Sequence, residues 1–310
     1  MEGSKLAAAI LGEVRRAVVG KDEVLAKVLL AILAGGHILL EDIPGVGKTT
    51  MALAFSKALS LRYNRVQFTP DVMPSDITGF TLYNKEAGRM EYQPGAVLCN
   101  LFLADELNRA TSRTQSALLE AMEEGQVTVD GVTHSVPQPF LVIATQNPAG
   151  SSGTQLLPDS QLDRFMVKLS LGYPSAADET ELLRRKQSGN PLSQVERAAT
   201  LNDLEDMRAA VDRVYLSDAV CEYIVRPIGA TREHPLIVQG ASPRATLAVA
   251  AMSRAAAFVR GRDYVTPDDV RLVFADTVSH RLLLSPRGES GEGGSPVESI
   301  LKGVQPPAIQ

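Results

Sequence analysis

An apolar run, His37–Leu40, leads straight into Glu41-Asp42-Ile43-Pro44-Gly45-Val46-Gly47-Lys48-Thr49-Thr50, and a helical pattern follows over Thr49–Leu59. A strand that ends in a glycine turn and then opens a helix is the setting of a phosphate-binding loop, and it demands an α/β architecture. Gly45 and Gly47 let backbone N–H groups curl around an anion, and the helix N-terminus adds positive potential. Lys48 is expected to reach the β- and γ-phosphates of ATP, and the Thr49 hydroxyl to ligate Mg²⁺. Asp42 stands where the usual pattern has its first glycine, but that position ends the strand and does not cradle phosphate. Asp42, Ile43, Pro44, Gly45, Val46, Gly47, Lys48, Thr49 and Thr50 are therefore read together as the nucleotide loop.

Such a loop needs a partner strand carrying acid, and Leu101-Phe102-Leu103-Ala104-Asp105-Glu106 supplies it. The strand ends in two carboxylates at its C-terminal edge, where ligands of open α/β sheets bind. Asp105 is assigned to the Mg²⁺ shell and Glu106 to polarising the attacking water, since hydrolysis needs both charge neutralisation and an aimed nucleophile. Phe140–Thr145 gives a further buried strand running into Gln146-Asn147-Pro148. If it neighbours the first, the Asn147 amide sits beside the carboxylates and can orient the water.

Helical Asp22–Ala34 and strand-like Arg65–Phe68 complete an alternating pattern, which implies a largely parallel sheet covered on both faces. Beyond about Leu171 only helical spacing is evident: Ala176–Lys186, Leu201–Val214, Asp218–Arg226, Pro243–Gly261 and Pro267–Leu284. The expected fold is an α/β core over 1–172, a connection over 173–190, an all-helical domain over 191–285 and a Gly/Ser/Pro-rich tail over 286–310. Ser285–Pro296 reads as a flexible linker. Within the core, Ser112–Glu124 reads as a helix with a Ser112…Gln115 capping box and Gly125 as its stop. Gln126–Val129 and Val132–His134 flank Asp130-Gly131 as a hairpin over 126–134. The stretch 69–99 is a long insertion, usually a functional feature in a compact domain.

These landmarks resemble the MoxR family of AAA+ ATPases along nearly the whole chain. The likeness rests on Val18-Val19-Gly20-Lys21, the loop above, Leu103–Ala110, Thr114–Glu124, Ala144–Pro148, Leu162-Asp163-Arg164-Phe165 and Ser242-Pro243-Arg244. It implies that Val19 and Gly20 border the nucleotide, and that Arg164 is an arginine finger reaching the neighbouring subunit's γ-phosphate. It also implies that Arg244 is a sensor arginine touching nucleotide from the helical lid. Arg109 is a second arginine able to face the next subunit. A finger acting in trans implies a homo-oligomeric ring, usually of six in this family. The implied role is an ATP-driven chaperone that matures a client protein complex, in some cases by metal or cofactor insertion. Its implied partner is a von Willebrand factor A-domain protein. Ser75–Gly95 and the hairpin would face the ring's centre and the client.

Competing classes are testable against the same residues. A magnesium-chelatase ATPase subunit should carry longer core insertions. A nucleic-acid motor should carry basic residues on the hairpin, whereas Gln126–His134 has an acidic residue and no Lys or Arg; the net charge of -5 also gives no basic field. A nucleotide-gated scaffold would not keep Glu106, Asn147 and Arg164. The two cysteines have no metal or disulfide spacing, and His37 and His134 lack a second ligand. The longest apolar run, Val28–Ala34, falls well short of the roughly 20 residues a membrane span needs. A cytoplasmic protein with no membrane anchor and no nucleic-acid partner is expected.

Overall fold

The computed structural model describes residues 2–147, 157–187, 189–290 and 294–307. Pro148, the last residue of the Ala144–Pro148 landmark, and residues 291–293 of the stretch read as linker lie outside the described residues. The strands are β1 (Ile38–Glu41), β2 (Tyr63–Gln67), β3 (Gly79–Asn84), β4 (Arg89–Pro94), β5 (Leu101–Asp105), β6 (Gln126–Val129), β7 (Val132–Ser135), β8 (Leu141–Gln146), β9 (Val167–Leu169), β10 (Ile237–Gln239) and β11 (Leu283–Leu284). The core helices are α1 (Glu2–Ala17), α2 (Asp22–Leu33), α3 (Lys48–Ala58), α4 (Pro74–Thr78), α5 (Ser112–Glu124), α6 (Asp159–Leu162) and α7 (Ala176–Gln187). Beyond them come α8 (Leu201–Asp212), α9 (Asp218–Thr231), α10 (Pro243–Val259), α11 (Pro267–Val278), α12 (Pro286–Glu289) and α13 (Pro296–Gly303).

Five parallel strands form the central sheet in the order β2-β5-β8-β1-β9. The middle strands are apolar at almost every position because both faces are covered. Alternation then divides the core in two. Ile38, Leu40, Leu101, Leu103, Leu141 and Ile143 pack under α1, α2, α3 and the helical domain. Leu39, Phe102, Ala104, Val142 and Ala144 face the opposite way, against α5 and the insertion. This is the expected three-layer core. The first helix was not anticipated, although Ala7, Ile10, Leu11 and Val14 recur at helical spacing and are buried.

The long insertion is not a loose loop. It is the one-turn helix α4 followed by the hairpin β3–β4, and Tyr92 of that hairpin stacks on His134 of β7 with ring centroids 3.6 Å apart. The β6–β7 hairpin turns at Asp130-Gly131 with both φ angles positive (49° and 78°), as such a two-residue turn requires. The cap of α5 differs from expectation: Thr111, not Ser112, accepts from the Thr114 N–H. Gln115 is instead buried, its amide donating to the carbonyls of Leu107 and Ala110.

The second domain is helical as expected, with three departures. A short antiparallel pair, β10–β11, interrupts it. Helix α9 runs on past Arg226 through Pro227 to Thr231. The segment read as linker contains α12, and Pro296 opens α13, whose Val297 and Ile300 are buried. Helix α13 packs on α9 and α11, so an apolar i, i+3 pair outweighed the Gly/Ser composition before it. No helix among the described residues is long and apolar enough to cross a membrane.

His37, just before β1, is packed and does not ligate a metal. Its Nδ1 accepts from the Val142 N–H at 3.0 Å, so its Nε2 must donate to the Met122 carbonyl at 3.1 Å; the neutral tautomer is built in. Burial pushes His37 down to about 4 and His280 down to about 3, from 6.5. Because the folded values lie below the unfolded ones, this stability is complete above pH 6.5 and drains as pH falls towards the folded values. At about 1.4 kcal/mol per unit, going from pH 7 to 5 should cost roughly 2 kcal/mol per histidine. Urea unfolding at the two pH values should show the loss, and His37→Gln should remove about half of it. An undiminished pH dependence in the variant would rule His37 out.

Candidate nucleotide site

The loop between β1 and α3 takes the backbone its sequence demands. Gly45 (φ 89°) and Gly47 (φ 100°) occupy the left-handed region, which a residue with a β-carbon rarely adopts. Lys48 opens α3 and is nearly buried, its ammonium donating to the carbonyls of Asp42 (2.7 Å) and Ile43 (3.3 Å). Burial draws the Lys48 ammonium below its ordinary range, opposed by Asp42, Asp105 and Glu106. A phosphate would stabilise the charged form further. The Asp42 side chain does not turn to the loop. Its carboxylate accepts from the Ser170 hydroxyl and the N–H groups of Leu171 and Gly172, tying the loop's base to the chain leaving β9.

Gly45, Gly47, Lys48, Thr49, Asp105 and Glu106 line one cavity of about 380 Å³. A Thr49 hydroxyl and one carboxylate beside a phosphate loop are the donor set Mg²⁺ uses when nucleotide supplies the remaining ligands. No cluster of three or more His, Cys, Asp or Glu side chains able to hold a metal exists among the described residues.

The acidic edge is held by two residues whose roles sequence reading missed. The fully buried Thr145 hydroxyl donates to Asp105 Oδ1 (2.7 Å) and accepts from the Glu106 N–H (2.8 Å). Asn108 clamps the backbone of Asn147 through its side-chain amide (3.2 and 3.3 Å). A polar Thr in an apolar strand and an Asn two residues after the Glu were the available signals. Glu106 sits at φ 56°, a strained value for a glutamate of the kind that clusters at functional sites. Its two oxygens meet the Asn147 amide (3.3 Å) and the Arg109 guanidinium (2.9 Å). Arg109 therefore engages its own chain's Glu106. Asn147 Oδ1 is buried with no protein partner among the described residues.

Arg164 and Arg244 lie elsewhere. Both line a cavity with His37, at the start of β1, while the phosphate loop leaves the end of that strand. Four strand residues separate them, about 13 Å at roughly 3.3 Å per residue. Both arginines pair with Glu123 of α5 (3.1 and 2.7 Å). Asp163 accepts from Ser242 and Arg281, so the Leu162–Phe165 and Ser242–Arg244 landmarks meet in space. Arg244 is thus placed with Arg164 and away from its own chain's phosphate loop. Gly20 lies so close to Asp178 of α7 that a β-carbon on it would overlap that side chain. Nearby, Thr50, Ala17, Leu182, Leu183 and Leu192 frame a second, mostly apolar cavity of about 520 Å³.

A parallel sheet with this loop, two carboxylates at the end of β5 and a helical lid defines a P-loop ATPase of the AAA class. The chain matches the ATPase family associated with various cellular activities (AAA) over residues 37–167 and the AAA lid domain over 229–300. It is 43% identical to the uncharacterised protein YeaC of Bacillus subtilis, over 95% of this chain and 92% of that one. It is 40% identical to the chaperone MoxR1 of Mycobacterium tuberculosis, over 88% and 74% of the two chains. A crystal structure of a candidate ATPase from Cytophaga hutchinsonii superposes with a TM-score of 0.91 at 38% identity, over 99% and 96%. The chain belongs to the MoxR family of AAA+ ATPases.

Proposed function

We propose that this ATPase works as a ring, with Mg²⁺·ATP held by the loop of one copy and completed by Arg164 and Arg244 of the next. The observation that carries this is the placement of the two halves at opposite ends of strand β1. No single copy can bring the arginines to its own phosphates, but a neighbour presenting its β9 edge can.

Within one chain, the roles divide by chemistry. Lys48 and the loop amides bind the β- and γ-phosphates, while Thr49 and Asp105 hold Mg²⁺, which neutralises charge on the leaving oxygens. Glu106 accepts the proton of the attacking water, and Asn147, whose Nδ2 meets Glu106 and whose Oδ1 has no partner among the described residues, orients that water. The apolar cavity beside Thr50 is suited to the adenine base. Because Asp163 ties the finger segment to Ser242 and Arg281 of the lid, lid and finger move together when the interface closes. Six copies, as is usual in the family, would make a ring whose hairpins β3–β4 and β6–β7 meet a client protein complex. That client would be matured alongside a von Willebrand factor A-domain protein, in some cases by metal or cofactor insertion.

The direct test is Lys48→Ala. A charge-assisted hydrogen bond to phosphate is worth about 1.5–3 kcal/mol, so loss of the ammonium should weaken ATP binding by on the order of tenfold to a hundredfold. Calorimetric titration with unaltered affinity would refute the loop assignment.

A further inference from the structure

Asp105 has two oxygens, and they are held very differently. Oδ1 is committed to Thr145, a fully buried hydroxyl that also fixes the Glu106 N–H. Oδ2 accepts from Arg65 at 2.6 Å, and Arg65 also donates to Gln67 Oε1 at 3.1 Å. Arg65 stands on β2, an edge strand of the sheet, with its side chain 43% exposed against 11% for Asp105. The Thr145 contact cannot break without disturbing Glu106. The Arg65 contact can break by rotating one half-exposed side chain.

We propose that Arg65 is a positioning residue that competes with Mg²⁺ for Asp105 and, once displaced, pairs with the terminal phosphate of ATP. The proposal rests on the assignment of this cavity to nucleotide. Its geometry is a handover. Arg65 lines the same cavity as Gly45, Gly47, Lys48 and Thr49, so leaving Asp105 keeps it in front of the phosphates. Charge balance favours the exchange. In the chain by itself, Lys48, Arg65 and Arg109 face Asp105 and Glu106. When Mg²⁺·ATP enters, the metal takes over the carboxylate, and the released guanidinium meets the added phosphate charge instead of lying unpaired. A planar guanidinium with several donors suits a phosphate's oxygens. The terminal phosphate is the group ADP lacks, so the exchange makes the site prefer the triphosphate.

The test measures binding, not turnover. In a Glu106→Gln background, a fluorescent ATP analogue is titrated with Mg²⁺, and ATP and ADP are compared as competitors. Arg65→Gln should lower the Mg²⁺ midpoint about fivefold, the scale of a partly exposed ion pair, and cut the ATP-over-ADP preference about tenfold, the scale of one charged hydrogen bond. Arg65→Lys should restore most of the preference. A midpoint is insensitive to any misfolded fraction, so a general structural defect does not mimic the result. If either the midpoint or the preference is unmoved in Arg65→Gln while Lys48→Ala loses binding, the handover is overturned and the site stands. If the Glu106→Gln protein with Arg65 intact binds no nucleotide, the site assignment itself fails.

Discussion

Replacing Arg164 with alanine should cut ATP turnover by about 10³–10⁵, the scale of an arginine finger in phosphoryl transfer, while nucleotide binding stays near its original strength. Arg164 is held at the opening edge of the sheet by Glu123 and lies a full strand length from its own phosphate loop. An arginine whose work ended at that half-exposed ion pair would be worth at most about 1 kcal/mol of stability and nothing in rate. Steady-state turnover therefore separates the two roles by orders of magnitude. Mixing tests the direction. An Arg164→Ala chain keeps an intact Glu106, and a Glu106→Gln chain keeps an intact finger, so demonstrably mixed assemblies should recover turnover that neither variant shows alone. Absence of recovery would place the arginine's action, if any, within its own chain.

The second large effect belongs to Glu106. Glu106→Gln should lower turnover by about 10²–10⁴, the contribution of a positioned general base, yet leave ATP bound. Glutamine keeps the shape and one oxygen for the Arg109 or Asn147 contact, at 2.9 and 3.3 Å in the parent, so the fold should be retained. What is lost is the carboxylate that takes the water's proton. The same variant should hold the proposed ring in its ATP-bound form, which makes it the means of capturing a client. Recovery of a protein carrying a von Willebrand factor A domain supports the proposed partnership, and recovery of DNA refutes it. Wild-type turnover in the variant would remove Glu106 from the chemistry.

Local chemistry made much of the site legible. Gly45 and Gly47 were readable because a tight turn needs positive φ, and the meeting of Lys48, Thr49, Asp105 and Glu106 in one cavity because such a loop calls for an acidic strand end beside it. The hairpin was readable from Asp130-Gly131. Thr145 and Arg65 were not, because a threonine and an arginine in strands have many ordinary uses; only the register of β5 against β2 and β8 sets them on Asp105. The fate of Gln115 was missed for a related reason. A capping box and a buried amide clamp use the same residues, and the choice depends on what packs above the helix.

The sequence by itself determined the class of this ATPase, its core strands and the loop with its two carboxylates, since these follow from hydrophobic alternation and from the demands of phosphate on a backbone. Tertiary structure alone decided where the arginines go. Arg164 and Arg244 are 80 positions apart and meet on Glu123 because the lid packs across the β9 edge of the sheet, at the end of β1 opposite the phosphate loop. That edge is fixed by strand order and direction, which are long-range properties of the folded chain and leave no mark in the residues next to either arginine.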